Sequence, residues 1–459
     1  VRADQQLERA GAVEFRMGIV DTHRLAVAEL GRFEPPVVEV HAPAPARRRI
    51  EFAPLVIADG SGAASAIDSH MVVQCISSSA DTRCWVARDA PRSCCRSGRG
   101  LWQALDVDAT DARHREVIET AWSQFDDDRS IVRVDELSVM VSTNRVYRLC
   151  LDDGSNVIGK SSNYGSYFLF AEDHDRLHRA TQLLHGGRYE HFMAGVLTAD
   201  GEPYLYYDGE MWAVFYEEVA HRDRLPKILT AAQVSNLGAE LAHFHRACSA
   251  ISRLIPPPSK TAKSDAVNLF EMLGSRNAGE EYGLEQSRLD LVRRHTHRFL
   301  MTLHESGYDY WQKIPVLIDW NLGNFSVESD PADPQAFRLF SRWDYDWFRI
   351  ESRLLDFYFL SRVSSRTGDR SSFTYGSHTL LEPRFRRFLR AYHQVFPLAE
   401  QEVLFLKEAY RFFLLNYVIR EGRHFFRYDF WQHLLHDAVD VHLPSLDELD
   451  LTPLFDELE

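Results

Sequence analysis

The sequence predicts an α+β chain of two lobes, a small antiparallel sheet followed by a larger, mainly helical half. Three observations point there. Two hairpins with alternating apolar residues, at 145–160 and 203–216, lie ahead of residue 220. Beyond it, apolar residues recur at helical spacing through 230–246 and 287–304. A loop of turn formers, Asp319-Trp320-Asn321-Leu322-Gly323-Asn324, then breaks the helical half between two apolar runs.

Residues 1–114 read as a weakly structured extension. They hold no lysine, a Pro-Ala stretch at Ala42–Ala46 running into Arg47-Arg48-Arg49, and a Ser/Arg/Cys-rich segment from Ser77 to Arg99. The arginine run reads as a solvated cluster. Cys75, Cys84, Cys94 and Cys95 lack zinc-site spacing and read as reduced thiols of a cytoplasmic protein. A start at Val1 fits an upstream start-site assignment, with the working protein beginning near residue 110.

The small lobe is expected over 115–220. His114–Gln124 reads as a short amphipathic helix. Arg145–Leu151 alternates as a strand, turns at Asp152-Asp153-Gly154, and leads to Val157-Ile158-Gly159-Lys160. Lys160 is the first of only six lysines, against forty-six arginines, so a lysine here reads as specifically required. A helix follows over Phe170–Leu184. Glu172 is its candidate acid to pair with Lys160, with Asp173 and Asp175 as rivals; all three also suit a helix's first turn. Pro203–Tyr207, the turn Asp208-Gly209 and Met211–Tyr216 form the second hairpin, ending at Glu217-Glu218-Val219 between the lobes.

The helical lobe is expected over 221–459. Thr230 caps a helix ending near His245-Arg246, Pro256-Pro257-Pro258 marks a loop, and Ser287–His304 is helical. The aromatic residues between Phe385 and Trp431 read first as core, and Leu446–Glu459 as an acidic tail.

The chemistry is concentrated in three positions. Asp319 and Asn324 stand five apart on one loop, and Asp344 follows the expected strand Phe337–Trp343. Phosphoryl transfer asks for such a set: a carboxylate to orient a hydroxyl, and an amide and a carboxylate to hold magnesium through oxygen. Taken alone, the loop also reads as an ordinary hairpin turn.

The order of these elements resembles the aminoglycoside phosphotransferase and choline kinase superfamily. Ser142-Thr143-Asn144-Arg145-Val146-Tyr147-Arg148 is similar to its turn and second strand. Leu237-Gly238-Ala239-Glu240-Leu241-Ala242-His243-Phe244-His245 is similar to its helix ending in Leu-His. Asp319–Asn324 and Asp344 with Asp356-Phe357 are similar to its catalytic loop and metal segment. The resemblance spans about residues 115–440 and implies a bilobal protein-kinase-like fold using ATP and magnesium. It implies Asp319 as the catalytic residue, Asn324 and Asp344 as metal ligands, and Lys160, Glu172, Glu217 and Val219 at the nucleotide. The acceptor is then a small-molecule hydroxyl. The family usually has His two residues before the catalytic Asp, where this chain has Leu317.

Composition narrows the alternatives. A chain of 459 residues with formal charge −15 is not expected to bind nucleic acid non-specifically. It has no apolar run long enough for a membrane span and no secretory pattern at its amino terminus. A kinase-like nucleotide-binding or scaffold module without turnover stands as the second reading. A hydrolase using Asp319 and Asp344 as acid and base is a distant third. The motifs specify neither the acceptor nor the oligomeric state, since pockets differ where the nucleotide machinery is shared.

Overall fold

A lone hairpin is marginal in water, so the small lobe gains its stability by stacking strands and covering the sheet. The computed structural model describes residues 99–458 apart from Asp127, 139–141 and 368–374. The Pro-Ala stretch, the arginine run and the four clustered cysteines lie outside the described residues.

The small lobe begins with α1 (Arg99–Phe125) and β1 (Ile131–Glu136), followed by β2 (Arg145–Leu151) and β3 (Asn156–Ser162). Helix α1 is longer than His114–Gln124 because neither Pro nor Gly interrupts Leu101–Phe125. Helix α2 (Tyr167–Leu184), the two-residue strands β4 (Thr198–Ala199) and β5 (Glu202–Pro203), β6 (Leu205–Tyr207) and β7 (Trp212–Glu217) complete it. Five strands form an antiparallel sheet in the order β1-β2-β3-β7-β6. The alternation expected of β2 is met: Arg145, Tyr147, Leu149 and Leu151 are buried while their neighbours are half-buried.

One face of the sheet packs on α1. Val117, Ile118, Ala121 and Trp122 meet Tyr147, Leu149, Val157, Met211, Ala213 and Phe215. Gly159 permits the approach, since a Cβ there would sit 3.1 Å from Ile118 Cδ1 and 3.2 Å from Phe215. The other face carries α2, where Phe170 stacks on Trp212 at 3.6 Å.

The large lobe is mainly helical. It holds α3 (Ala231–Ile251), α4 (Ala262–Leu273), α5 (Ala278–Tyr282), α6 (Gln286–Glu305), α7 (Phe357–Ser364), α8 (Pro383–Val395) and α9 (Glu400–Phe412). A π-helical stretch Phe413–Arg420 leads to α10 (Gly422–Phe425), α11 (Tyr428–Asp437) and α12 (Leu443–Glu448). Thr230 caps α3 through a reciprocal box with Gln233, and α3 runs past the expected end to Ile251. The aromatic residues of the last helices are core, with Phe385, Phe388, Tyr392 and Tyr410 fully buried. Within the segment expected as an acidic tail, residues 446–458 pack on the lobe. Leu446, Leu451 and Leu454 are buried, and Glu457 pairs with Arg390 at 2.7 Å.

Helices α3 and α8 cross at Gly238, where a Cβ would meet the Phe388 carbonyl oxygen well inside van der Waals contact. Gly→Ala inside a helix ordinarily gains about 1 kcal/mol. Overpacking against backbone costs about 1–3 kcal/mol and should win here. Gly238→Ala is therefore expected to lower the thermal midpoint; an unchanged or raised midpoint would show the crossing to be loose.

Four strands set up the site. In chain order they are β8 (Ile314–Val316), β9 (Phe325–Asp330), β10 (Asp333–Arg342) and β11 (Arg349–Glu351). β8 pairs with β11, and β9 with β10, both antiparallel. Loops 317–324 and 343–348 each connect one ladder to the other, so the pairing lays the two loops side by side.

Candidate active site

The Asp319 loop is held by its backbone. Ile318 has φ +59° and Asp344 φ +72°, left-handed values that a β-branched residue adopts only under constraint. The constraint at Ile318 is Asp356, fully buried, whose Oδ1 accepts from the N–H groups of Leu317 (3.0 Å) and Ile318 (2.6 Å). Its Oδ2 accepts from His245 Nε2 at 2.9 Å, and Tyr392 donates its hydroxyl to His245 Nδ1 at 2.8 Å. Burial holds the His245 pKa below its ordinary value, so the ring is neutral and each nitrogen has one partner. The Leu317 side chain is itself core.

Arg342, at the end of β10, ties the loops together. Its Nη2 donates to the carbonyls of Asp319 (2.9 Å) and Asp344 (3.2 Å), and its guanidinium lies over the Trp320 ring at 5.3 Å. Trp343 N–H donates to the Asn324 carbonyl at 3.1 Å. Asn324 Nδ2 reaches the Asp319 carbonyl at 3.5 Å, and Asn321 N–H reaches Asp319 Oδ1 at 3.2 Å. Burial, and next the Asp344 carboxylate, push the Asp319 carboxyl up to about 6. Asp319, Asn324 and Asp344 are thus brought to one place.

Lys160 reaches the same place from the small lobe. Its Nζ lies 3.7 Å from Asp344 Oδ1 and contacts Asp346 Oδ1 more closely, with the side chain only 7% exposed. Burial lowers the ammonium's pKa against the opposing pull of Asp344.

The expected pairing of Lys160 with Glu172 is not present. Glu172 binds Arg176 one turn along α2 (3.0 Å) and the Ser259 backbone of the large lobe (3.0 Å). Asp173 pairs with Lys260 at 3.5 Å and Asp175 with Arg176 at 2.5 Å. The α2 residue that feels the Lys160 charge is His174. Its Nδ1–H donates to the Phe170 carbonyl (2.8 Å), so its Nε2 accepts from the Tyr216 hydroxyl (2.6 Å). Burial lowers its pKa to about 3, and it is neutral at ordinary pH.

At the inter-lobe strand, Glu217 N–H donates to the Gly195 carbonyl (2.9 Å), while Glu218 binds Arg148 (2.6 Å) and Asn156 (3.0 Å). Among the described residues no hydrogen bond engages the Val219 backbone. The next residue, Ala220, accepts from Ser341 Oγ at 2.7 Å, and Asp223 bridges to Val327.

The turn before β2 bonds across to the large lobe. Thr143 N–H donates to the Phe425 carbonyl (2.9 Å) and its hydroxyl to the His424 carbonyl (2.8 Å). Asn144 Nδ2 donates to Asp346 Oδ2 at 2.9 Å. Among the described residues no group of three or more His, Cys, Asp and Glu is placed to hold a metal. The donors that meet here, two Asp carboxylates and the Asn324 amide, are the hard oxygen set that suits magnesium. Sequence reasoning missed Asp346, Asn144 and His174 as site residues; Asp346, two positions after Asp344, is the one a motif-based reading could have found.

No family model and no curated protein matches the sequence. Among solved structures, the chain is similar to an amicoumacin kinase in complex with AMP-PNP and Ca2+, at 15% identity over 71% of this chain and 85% of that one, with a TM-score of 0.43. It is similar to a microcompartment-associated aminopropanol kinase, at 18% identity over 71% and 96%, TM-score 0.43. It is also similar to a putative fructosamine-3-kinase from Thermobifida fusca, at 17% identity over 74% and 98%, TM-score 0.39.

Proposed function

We propose that this protein is an ATP- and magnesium-dependent phosphotransferase that moves the γ-phosphate to a hydroxyl of a small molecule. The observation that carries the reading is the approach of Lys160, Asp319, Asn324 and Asp344 to one another from both lobes, in the order the motifs require. Magnesium with the nucleotide supplies the phosphoryl group and the neutralising charge when bound.

The residues divide the remaining work. The Lys160 ammonium, a compact point charge, binds α- and β-phosphate oxygens. Asn324 and Asp344 hold the metal through oxygen. Asp319 orients the acceptor hydroxyl and takes its proton, for which a carboxyl raised to about 6 is suited near neutral pH. The backbone of Val219 and the Glu217 carbonyl meet adenine, since the Glu217 N–H is held by Gly195. A nucleotide-binding module without turnover remains the second reading, favoured by Leu317 in place of the family's His.

Calorimetry tests the first step. Wild-type protein is expected to bind ATP more tightly with magnesium than without, and Asp344→Ala to lose that difference. Absence of any nucleotide binding by the folded wild type would overturn the reading. Acceptor-dependent ADP release that Asp344→Ala removes would exclude the module without turnover.

A further inference from the structure

The acids of α2 bind elsewhere, and the α2 side chain that the Lys160 charge reaches is the neutral imidazole of His174. His174 has both ring nitrogens engaged, by Phe170 and Tyr216, and offers the ammonium no lone pair. The neighbouring acids of α2 are turned away to Arg176, Ser259 and Lys260. A lysine ammonium only 7% exposed still requires a counter-charge, because an unpaired buried charge costs far more than a paired one.

The counter-charge comes from the other lobe, where Asp344 stands 3.7 Å away and Asp346 makes the closer contact. Asp346 has both oxygens committed, Oδ1 to Lys160 and Oδ2 to Asn144 Nδ2 at 2.9 Å. Asn144 is buried, and its side-chain Oδ1 accepts from the Ser162 hydroxyl, two residues beyond Lys160 on β3. Ser162 Oγ in turn accepts from Tyr164 N–H at 2.9 Å. The chain Ser162–Asn144–Asp346–Lys160 leaves β3, crosses to the 343–348 loop and returns to β3.

We infer that Asp346 is the positioning residue for Lys160, held by Asn144, and that it takes the part expected of an α2 carboxylate. Lys160 is then aimed by a group on the large lobe, so its placement depends on the two lobes being together. The inference rests on the nucleotide reading above for its consequence, but the pairing itself is a property of this chain.

A double-mutant cycle on the full-length protein tests it. Asp346→Asn, Lys160→Met, the double variant and Glu172→Gln are compared by ADP affinity in EDTA and by urea unfolding. Asp346→Asn and Lys160→Met are each expected to weaken ADP by about tenfold or more. The double variant should lose no more than either single one, Glu172→Gln should match wild type, and Asp346→Glu should recover part of the loss. In urea, removing one partner should lower the midpoint and removing both should restore much of it.

Additive losses overturn the inference, as does a Glu172→Gln loss as large as that of Asp346→Asn. So does an Asp346→Asn effect seen only with magnesium, which would assign the carboxylate to the metal. If wild type binds no ADP even with magnesium, the nucleotide reading fails; the unfolding cycle then still decides the pairing, coupled midpoints supporting it and additive ones overturning it.

Discussion

Asp319→Asn is expected to cut turnover roughly a hundred- to ten-thousandfold while nucleotide binding persists and stability at neutral pH rises. The two effects share one cause. Burial and the Asp344 carboxylate raise the Asp319 carboxyl from 3.8 to about 6 in the folded chain. A carboxyl raised in this way favours folding while protonated. That contribution is fully present below about pH 4 and is lost as pH rises through about 6. At pH 7.5 the ionised group therefore opposes folding, and the amide relieves it by about 1–3 kcal/mol. The same ionised form is the one able to take a proton, so kcat/KM for wild type should fall on the acid side with a midpoint near 6. Residual turnover within tenfold of wild type would remove Asp319 from the reaction. A lower melting temperature would contradict the electrostatic account.

What the sequence makes legible here is local. Asp319 and Asn324 lie on one loop, and turn formers between apolar runs mark it. The β2–β3 hairpin follows from alternation and Gly154, and the α3 start from Thr230 and Gln233. The partner of Lys160 is not legible, because it depends on how α2 is rotated. Glu172 and His174 stand about 200° apart around the helix axis. Only packing decides which of them faces the sheet. Arg176, one turn from Glu172, draws it toward the large lobe, and Tyr216 draws His174 inward. The three-residue strands β8 and β11 are too short to show a period, yet their pairing is half of what sets the two loops side by side. The compact end of the chain is likewise hidden: Leu446, Leu451 and Leu454 are spaced among acids, and only their burial shows them as core.

Asp356 is where a long-range arrangement carries the largest expected effect on folding. It is written into the sequence as the trailing Asp of a motif, but its three donors come from residue 245 and from 317 and 318. Ile318 in a left-handed conformation costs about 1–3 kcal/mol, and it persists only while something compensates. Asp356 does so by accepting from two consecutive N–H groups, a role that leaves the side chain at 317 free to be Leu rather than His. Asp356→Ala would leave both N–H groups and His245 Nε2 buried without partners, so a loss of about 3–5 kcal/mol is expected. Asp356→Asn is different. Its carbonyl oxygen can still take the two N–H groups, and a neutral His245 can change tautomer to accept from the amide and donate to Tyr392. The amide variant is therefore expected to stay folded with a modest loss of stability, and to retain measurable turnover. The alanine variant should fail in both, read by urea unfolding and by phosphate transfer to a screened acceptor. Equal stability of the two variants would mean that Ile318 is held by other contacts, and Leu317 would again bear on whether the loop can act.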